Sequence, residues 1–502
     1  NPGEPWRQLA NESSFFMVND NKPSTAIASG EAPQGPTEAN RDALSSSSIA
    51  VGNAPTPLSW RFGIALALAA VVGTAYLLGD VWGARFRAGC GVVAFIGLVA
   101  MLSANLRRVN WRTIGWGIAL QAVLAVLVLK VQPVYEAFKS IGAVVKQFIN
   151  FSDEGAKFVF GDLADPTHGF KFAFIVLPPI LFVSAFFTVL YHYGILQWVV
   201  RLFARGMMYC LGTSGAETLS VAANVFMGQT EAPLIVKPYV PRMTNSELFT
   251  LMVSGFAHIS GALMVVYINY GADPVAVLTT CVMACPCSLY LAKLFLPETG
   301  TPETAGTVHT GKEKSPFVNG IDAAATGTTD GLRLALNVAA MLIVFIAFVA
   351  MFDAILASIK PGLLAMGVSE SALSAWPDNL SLGLVFGWLF SPAAYLMGVD
   401  IDDVHNVASL LGSKLAINEH YAYLRMKAWK EVPNFMTERS YKLAAFALTG
   451  FANFASVGIQ LGGIGAMAPE RRHDLARLGG RALFVGFVAT LLNAAIAGVL
   501  ME

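Results

Sequence analysis

The chain has 502 residues, 55% of them hydrophobic and only 13% charged, with 33 basic side chains balanced by 33 acidic ones. A soluble domain carries about 25% charged residues, so a water-soluble enzyme of this length is excluded, and a net charge of zero gives no reason to expect a nucleic-acid partner. What remains is an all-α polytopic membrane protein, with a mean hydropathy of +0.57.

In chain order, residues 1–58 are rich in Ser, Asn, Pro and Ala, lack the apolar core of a signal peptide and read as a disordered tail. The chain does not begin with Met, and Met17 is a candidate start. Apolar runs then follow at 60–79, 88–105, 113–131, 171–195, 247–270, 274–296, 332–358, 443–466 and 482–500. Each is near the length that a spanning helix needs, so nine crossings are expected.

Between the third and fourth runs, Val134, Phe138, Ile141, Val145 and Phe148 recur at helical spacing opposite Glu136, Lys139, Lys146 and Gln147. That stripe predicts an interfacial helix over 134–150. The stretches 199–241 and 381–430 are too long and too often interrupted by Gly, Pro and Glu to be single spans. Irregular backbone at membrane depth is tolerated where it is buried in protein or lines a cavity, so both are read as re-entrant helical hairpins, with tips near 229–231 and 413–419. The polar segment 299–330 reads as a linker.

Two helix starts are legible. Thr244 with Glu247 makes a capping box, and Asp273 before Pro274 places a capping carboxylate ahead of a first-turn proline. The basic groups Arg107, Arg108 and Arg112, then Arg201 and Arg205, Lys237 and Arg242, and Arg471, Arg472, Arg477 and Arg481 fall on one side of nine alternating spans. The positive-inside rule makes that side cytoplasmic, with the N-terminus inside and the C-terminus outside. Arg85 and Arg87 fall on the opposite side.

Two glutamates interrupt apolar surroundings, Glu231 in Gly228-Gln229-Thr230-Glu231-Ala232-Pro233 and Glu419 in Asn418-Glu419-His420-Tyr421-Ala422-Tyr423. Carboxylates at membrane depth are costly and mark substrate or ion pathways. Each is followed by an apolar helix with a similar opening, Gly255-Phe256-Ala257-His258 after the first and Gly450-Phe451-Ala452-Asn453 after the second. Paired interruptions in two halves of a membrane chain point to a transporter built from inverted repeats.

At these residues the chain resembles the concentrative nucleoside transporters. The matching stretches are Gly212-Thr213-Ser214 with Glu217, Ala222 to Pro233, Asn418-Glu419 with Ala422-Tyr423, and Gly450 to Asn453 running to Gly462-Gly463-Ile464-Gly465 and Pro469. The similarity extends from about residue 88 to the C-terminus.

The resemblance implies a homotrimer at the inner or plasma membrane, importing a nucleoside with a cation and requiring no cofactor. Its implied division is an additional helix at 59–80, scaffold helices at 88–198 and 332–360, and a transport domain of two repeats, 199–296 and 381–502. It implies that Gln229, Thr230 and Glu231 face the nucleobase, with Phe451 and Leu263 as apolar walls, and that Glu419, Asn453 and Ser456 hold the ribose. Such side chains suit the ligand, since amides and carboxylates bond base edges and vicinal hydroxyls and an aromatic ring stacks on the base.

The implied cation site uses Asn224, the carbonyl of Met227, position 258 and the carbonyl of Ile259. Well-known sodium-coupled members carry a small hydroxyl at position 258, and this chain has His258. Imidazole is a poor ligand for an alkali cation, so proton coupling stands as the alternative to sodium. His420 replaces the usual Phe.

Competing readings are weaker. Cys285-Pro286-Cys287 resembles the intramembrane motif of heavy-metal pumping ATPases, but no insertion is long enough for a nucleotide-binding domain. The cluster Asp400, Asp402, Asp403 and His405 lacks the spacing of a calcium loop. A nucleoside-binding receptor or channel on the same fold remains, because fold alone does not establish function. The five cysteines, Cys90, Cys210, Cys281, Cys285 and Cys287, read as free thiols.

Overall fold

The computed structural model describes residues 55–164, 172–175, 177–306, 316–374, 376–377 and 379–501. The expected disordered tail, apart from its last four residues, and the middle of the expected linker lie outside the described residues.

All regular structure among the described residues is helical, and seven helices there are long and apolar enough to cross a membrane. The two remaining expected crossings are accounted for by merging and by breakage. The first two runs are both present, as two helices that meet at non-helical Gly83 and are labelled together as α1 (Leu58–Met101); glycine adopts its φ of 80° at no steric cost. The run 443–466 is broken into two short helices, as described below.

Next come α2 (Trp111–Lys130), α3 (Gln132–Phe160) and α4 (Leu177–His192). The amphipathic stripe read at 134–150 belongs to α3, which continues ten residues further because its 3.6-residue pattern persists through Phe151 and Phe158. The segment 199–241 is not one helical hairpin. It divides into an amphipathic helix, α5 (Ile195–Leu211), closed by left-handed Gly212, and a compact hairpin of α6 (Gly215–Ala223) with a return arm of 3-10 turns at Ala232–Val236 and Val240–Arg242. Pro233, Pro238 and Pro241 deny that arm the amide hydrogens an α-helix needs.

The broken helix pair α7 (Asn245–Ala257) and α8 (Gly261–Asn269) follows, then α9 (Pro274–Phe295). Helix α10 (Gly320–Ala365) starts ten residues before the expected end of the linker, because Asn319 caps it by accepting from the amides of Ile321 and Asp322. The second half consists of α11 (Leu382–Leu396), the hairpin α12 (Val404–Ala416) and α13 (Glu419–Lys430), the broken pair α14 (Glu438–Leu448) and α15 (Phe454–Met467), and α16 (Arg472–Leu500).

Packing separates an inner from an outer layer. The most apolar stretch of Asn245–Asn269 is entirely buried and that of Pro274–Phe295 is 89% buried, against 11% for α1 and 12% for α10. The first broken pair and the helix after it are thus enclosed by protein, whereas α1 and α10, and much of α15, leave apolar side chains exposed.

At one end of the molecule the two first-repeat helices share a polar anchor. Ser214 and Thr244 cap α6 and α7, each in a capping box with Glu217 or Glu247. The Ser214 hydroxyl also donates to Glu247, while the buried ammonium of Lys293 lies 2.8 Å from Glu217 and 3.2 Å from Glu298. Removing one member of a buried ion network costs about 3–5 kcal/mol. Lys293→Met is therefore expected to lower the thermal unfolding temperature of purified protein by several degrees, whereas Arg242→Met, at an exposed pair with Glu303, changes it little.

The same end gathers several basic groups, with Arg471 donating to the carbonyls of Pro241 and Met243. Arg108 lines a cavity of about 260 Å³ with Thr213, Ser214 and Lys293. Arg85 is elsewhere, where it and Arg439 both donate to the carbonyl of Met501.

Candidate functional site

The two broken helices meet at their breaks. Helix α7 stops at Ala257 because His258 turns extended, and Ser260 restarts the chain as the cap of α8. Helix α14 stops at Leu448, and Asn453 caps α15 by accepting from the amide of Ser456 at 2.8 Å. Between the breaks, the Phe451 amide donates to the His258 carbonyl at 3.0 Å.

This crossing explains the repeated Gly-Phe-Ala motif. Gly450 has φ +145°, and a Cβ there would meet the carbonyl oxygen of Phe256 at 2.9 Å. A Cβ on Gly255 would run into the Gln460 amide at 2.5 Å.

Around the crossing, six side chains from both halves form one continuous network. Tyr267 donates to Glu419 Oε1 at 2.8 Å and Asn453 Nδ2 donates to Glu419 Oε2 at 2.9 Å. Asn453 holds the Ser456 amide, the Ser456 hydroxyl accepts from Gln229 Nε2 at 3.1 Å, and Gln229 Oε1 accepts from Gln460 Nε2 at 3.0 Å. Glu419 is 4% exposed, Asn453 3%, Ser456 2% and Gln229 7%. Each oxygen of Glu419 keeps acceptor capacity for a further hydroxyl, since a carboxylate has about four acceptor sites.

Of the residues read from the sequence, Gln229, Glu419, Asn453 and Ser456 are thus joined directly. Leu263 and Phe451 are buried beside them, Leu263 one turn before Tyr267 and Phe451 within the second break. Thr230 packs on α15, where a Cβ at Gly463 would strike its methyl. Glu231 has an exposed side chain, as a carboxylate lining a cavity would. It folds back so that Oε2 accepts from the Gly228 amide at 3.0 Å, immediately before the 3-10 arm begins.

Sequence reasoning missed Tyr267 and Gln460. Each stands four residues after a site residue on the same helix, Leu263 and Ser456, so the i,i+4 spacing carried the signal.

Beside the first hairpin tip, Asn224 is 1% exposed and its Nδ2 donates to the Ser254 hydroxyl at 2.9 Å, while its Oδ1 has no partner among the described residues. No backbone amide there donates to the carbonyls of Met227 or Ile259. Unused oxygens of this kind are what a hard cation accepts. The ring of His258 is engaged, with Nδ1 at 2.8 Å from the Ser254 carbonyl and Nε2 at 3.4 Å from Cys285 Sγ. At the second hairpin, His420 Nε2 lies 2.8 Å from the Tyr270 hydroxyl, and His420 is edge-on to both Tyr267 and Tyr270. No cluster of three metal-ligating residues occurs among the described residues, and Cys285 and Cys287 are free and buried.

Three family models match. The Na+ dependent nucleoside transporter N-terminus covers residues 90–163, a nucleoside recognition gate covers 173–273, and the Na+ dependent nucleoside transporter C-terminus covers 276–498. An uncharacterized transporter of Haemophilus influenzae is 39% identical over 82% of this chain and 96% of its own length. The human sodium/nucleoside cotransporter 1 is 37% identical over 82% of this chain, and solute carrier family 28 member 3 of mouse is equally identical. The chain spans 63% and 58% of those two mammalian proteins. Among solved structures, CNTnw in an inward-facing substrate-bound state superimposes with a TM-score of 0.77 at 34% identity, covering 83% of this chain and 98% of that one. An outward-facing CNTnw variant gives 0.78.

Proposed function

The chain belongs to the concentrative nucleoside transporter family, and from that membership we propose that it is a cation-coupled symporter that imports nucleosides. The observation that carries the reading is the network linking Gln229 of the first hairpin to Glu419, Asn453 and Ser456 of the second half. A ligand with a base edge at one end and vicinal hydroxyls at the other can exchange with it at two separated points. Glu419 and Asn453 take the ribose. Gln229 and Ser456 take the base edge, and Phe451 and Leu263 supply the apolar walls. Thr230 positions the first tip against α15, and Glu231 reaches the base only when Gly228 releases it.

Sodium is the coupling ion in this reading. Its support is the unpartnered Asn224 oxygen, the free carbonyls of Met227 and Ile259, and relatives described as sodium cotransporters. His258 contributes through its backbone turn, its ring being held by Ser254 and Cys285. The working unit is a homotrimer whose transport domain, made of the hairpins and broken helices, moves past the outer helices. The end bearing Arg108, Arg242 and Arg471 faces the cytoplasm, so the C-terminus, on the side of Arg85, faces out.

Asn224→Leu keeps the branched shape of the side chain and removes both the unpartnered oxygen and the Nδ2 bond to Ser254. Its half-saturating sodium concentration for uridine uptake is expected to rise about tenfold or more, which corresponds to about 1.4 kcal/mol. An unchanged sodium dependence contradicts the assignment of the cation.

A further inference from the structure

Resting on this reading of two repeats, we propose that the ammonium of Lys414 is a resident cation of the second repeat. It is tethered by its own side chain where the first repeat offers a slot for a free ion, and it compensates the buried charge of Glu419.

In the first repeat, a hairpin side chain, Asn224, and the carbonyls beside the break of α7 supply oxygens and no charge. In the second repeat the hairpin supplies a charge. Lys414 lies three residues before the tip residue Ile417, is fully buried, and donates to the Ala447 carbonyl at 2.8 Å, in the last turn before the break of α14. It also donates to the Thr490 hydroxyl at 2.9 Å and lies 5.5 Å from the centre of the Phe487 ring.

Every group touching Nζ is neutral, and among the described residues no carboxylate comes within ion-pair distance of it. An ammonium so enclosed is costly without a compensating charge. Glu419 supplies one from across the hairpin tip, five residues further along the chain, and the two side chains reach either side of one break, Lys414 at the Ala447 carbonyl before it and Glu419 at the Asn453 side-chain amide after it. Glu419 also touches no cation, since its two oxygens are held by a phenol and an amide. The pair is thus a through-space one, in which each charge offsets part of the cost of burying the other. The second repeat then needs no exchangeable cation.

The test is a double-mutant cycle on thermal unfolding of the purified full-length protein, with Lys414→Met, Glu419→Gln and the combination. Each single change is expected to lower the unfolding temperature by several degrees. In the Lys414→Met background, Glu419→Gln is expected to raise it, reversing the sign of the same substitution in the wild type. Additive losses overturn the proposal, because Lys414 would then act only through its bonds to Ala447 and Thr490. If Lys414→Met alone yields no folded protein, folding of the double variant supports compensation and its failure to fold rejects it. The readout involves no substrate, so an error in the assigned transport activity leaves this outcome unaffected.

Discussion

Glu419→Gln is expected to lower nucleoside uptake about 100-fold or more while the protein still inserts in the membrane. Hydrogen bonds to a charged group contribute about 1.5–3 kcal/mol, and a loss of about 2.7 kcal/mol is a factor of 100. The geometry adds a second penalty. Tyr267 and Asn453 each donate to one carboxylate oxygen, and glutamine keeps an oxygen for Asn453 but meets Tyr267 with an NH2, so the phenol must turn to accept and one oxygen that could take a ribose hydroxyl is lost. Uptake measured in vesicles, normalised to inserted protein, checks this. Uptake near the wild-type rate removes Glu419 from the ribose site.

Gln229→Ala is expected to weaken uridine binding about 10- to 100-fold with little change in unfolding temperature. Gln229 bridges Ser456 and Gln460 across the halves, and Gln460 keeps a bond to the Met252 carbonyl when Gln229 is gone. The loss therefore falls on the ligand more than on the fold. Titration calorimetry with uridine gives the affinity, and a stability collapse with unchanged affinity would show Gln229 to be structural.

The class, most of the apolar runs, the Thr244 capping box and the Asp273 cap were legible because composition and local hydrogen bonding set them. Thr244, Glu247 and Asp273 cap the helices that the sequence assigned to them. The hairpin tips were legible as interruptions of an apolar background, whereas the breaks within the runs 247–270 and 443–466, read as continuous spans, were not. Hidden from the sequence was anything that depends on which side of a short irregular segment faces inward. Glu231 and Glu419 occupy similar motifs. Yet Glu419 opens a regular helix, α13, and is buried, while Glu231 precedes a 3-10 arm and keeps an exposed side chain.

Helix ends were misjudged where hydropathy, not capping, had marked them, as at Asn319 before α10. His258 shows a third limit. Its residue type suggested a titrating group in the ion path but could not reveal the ring's neighbours, the Ser254 carbonyl and the Cys285 thiol. The site residues came mostly from resemblance, and the structure adds the physical connection among them through Asn453, which caps α15 with its oxygen and holds Glu419 with its nitrogen.

The most direct test of cation-coupled nucleoside transport is uptake of labelled uridine into proteoliposomes of the purified protein, with an inward sodium gradient and an inward proton gradient imposed separately. Accumulation above equilibrium with sodium, lost when choline replaces it and absent with protons alone, is the predicted result. Accumulation driven by protons without sodium would contradict the assignment of the ion, and an absence of both accumulation and uridine counterflow would contradict transport itself.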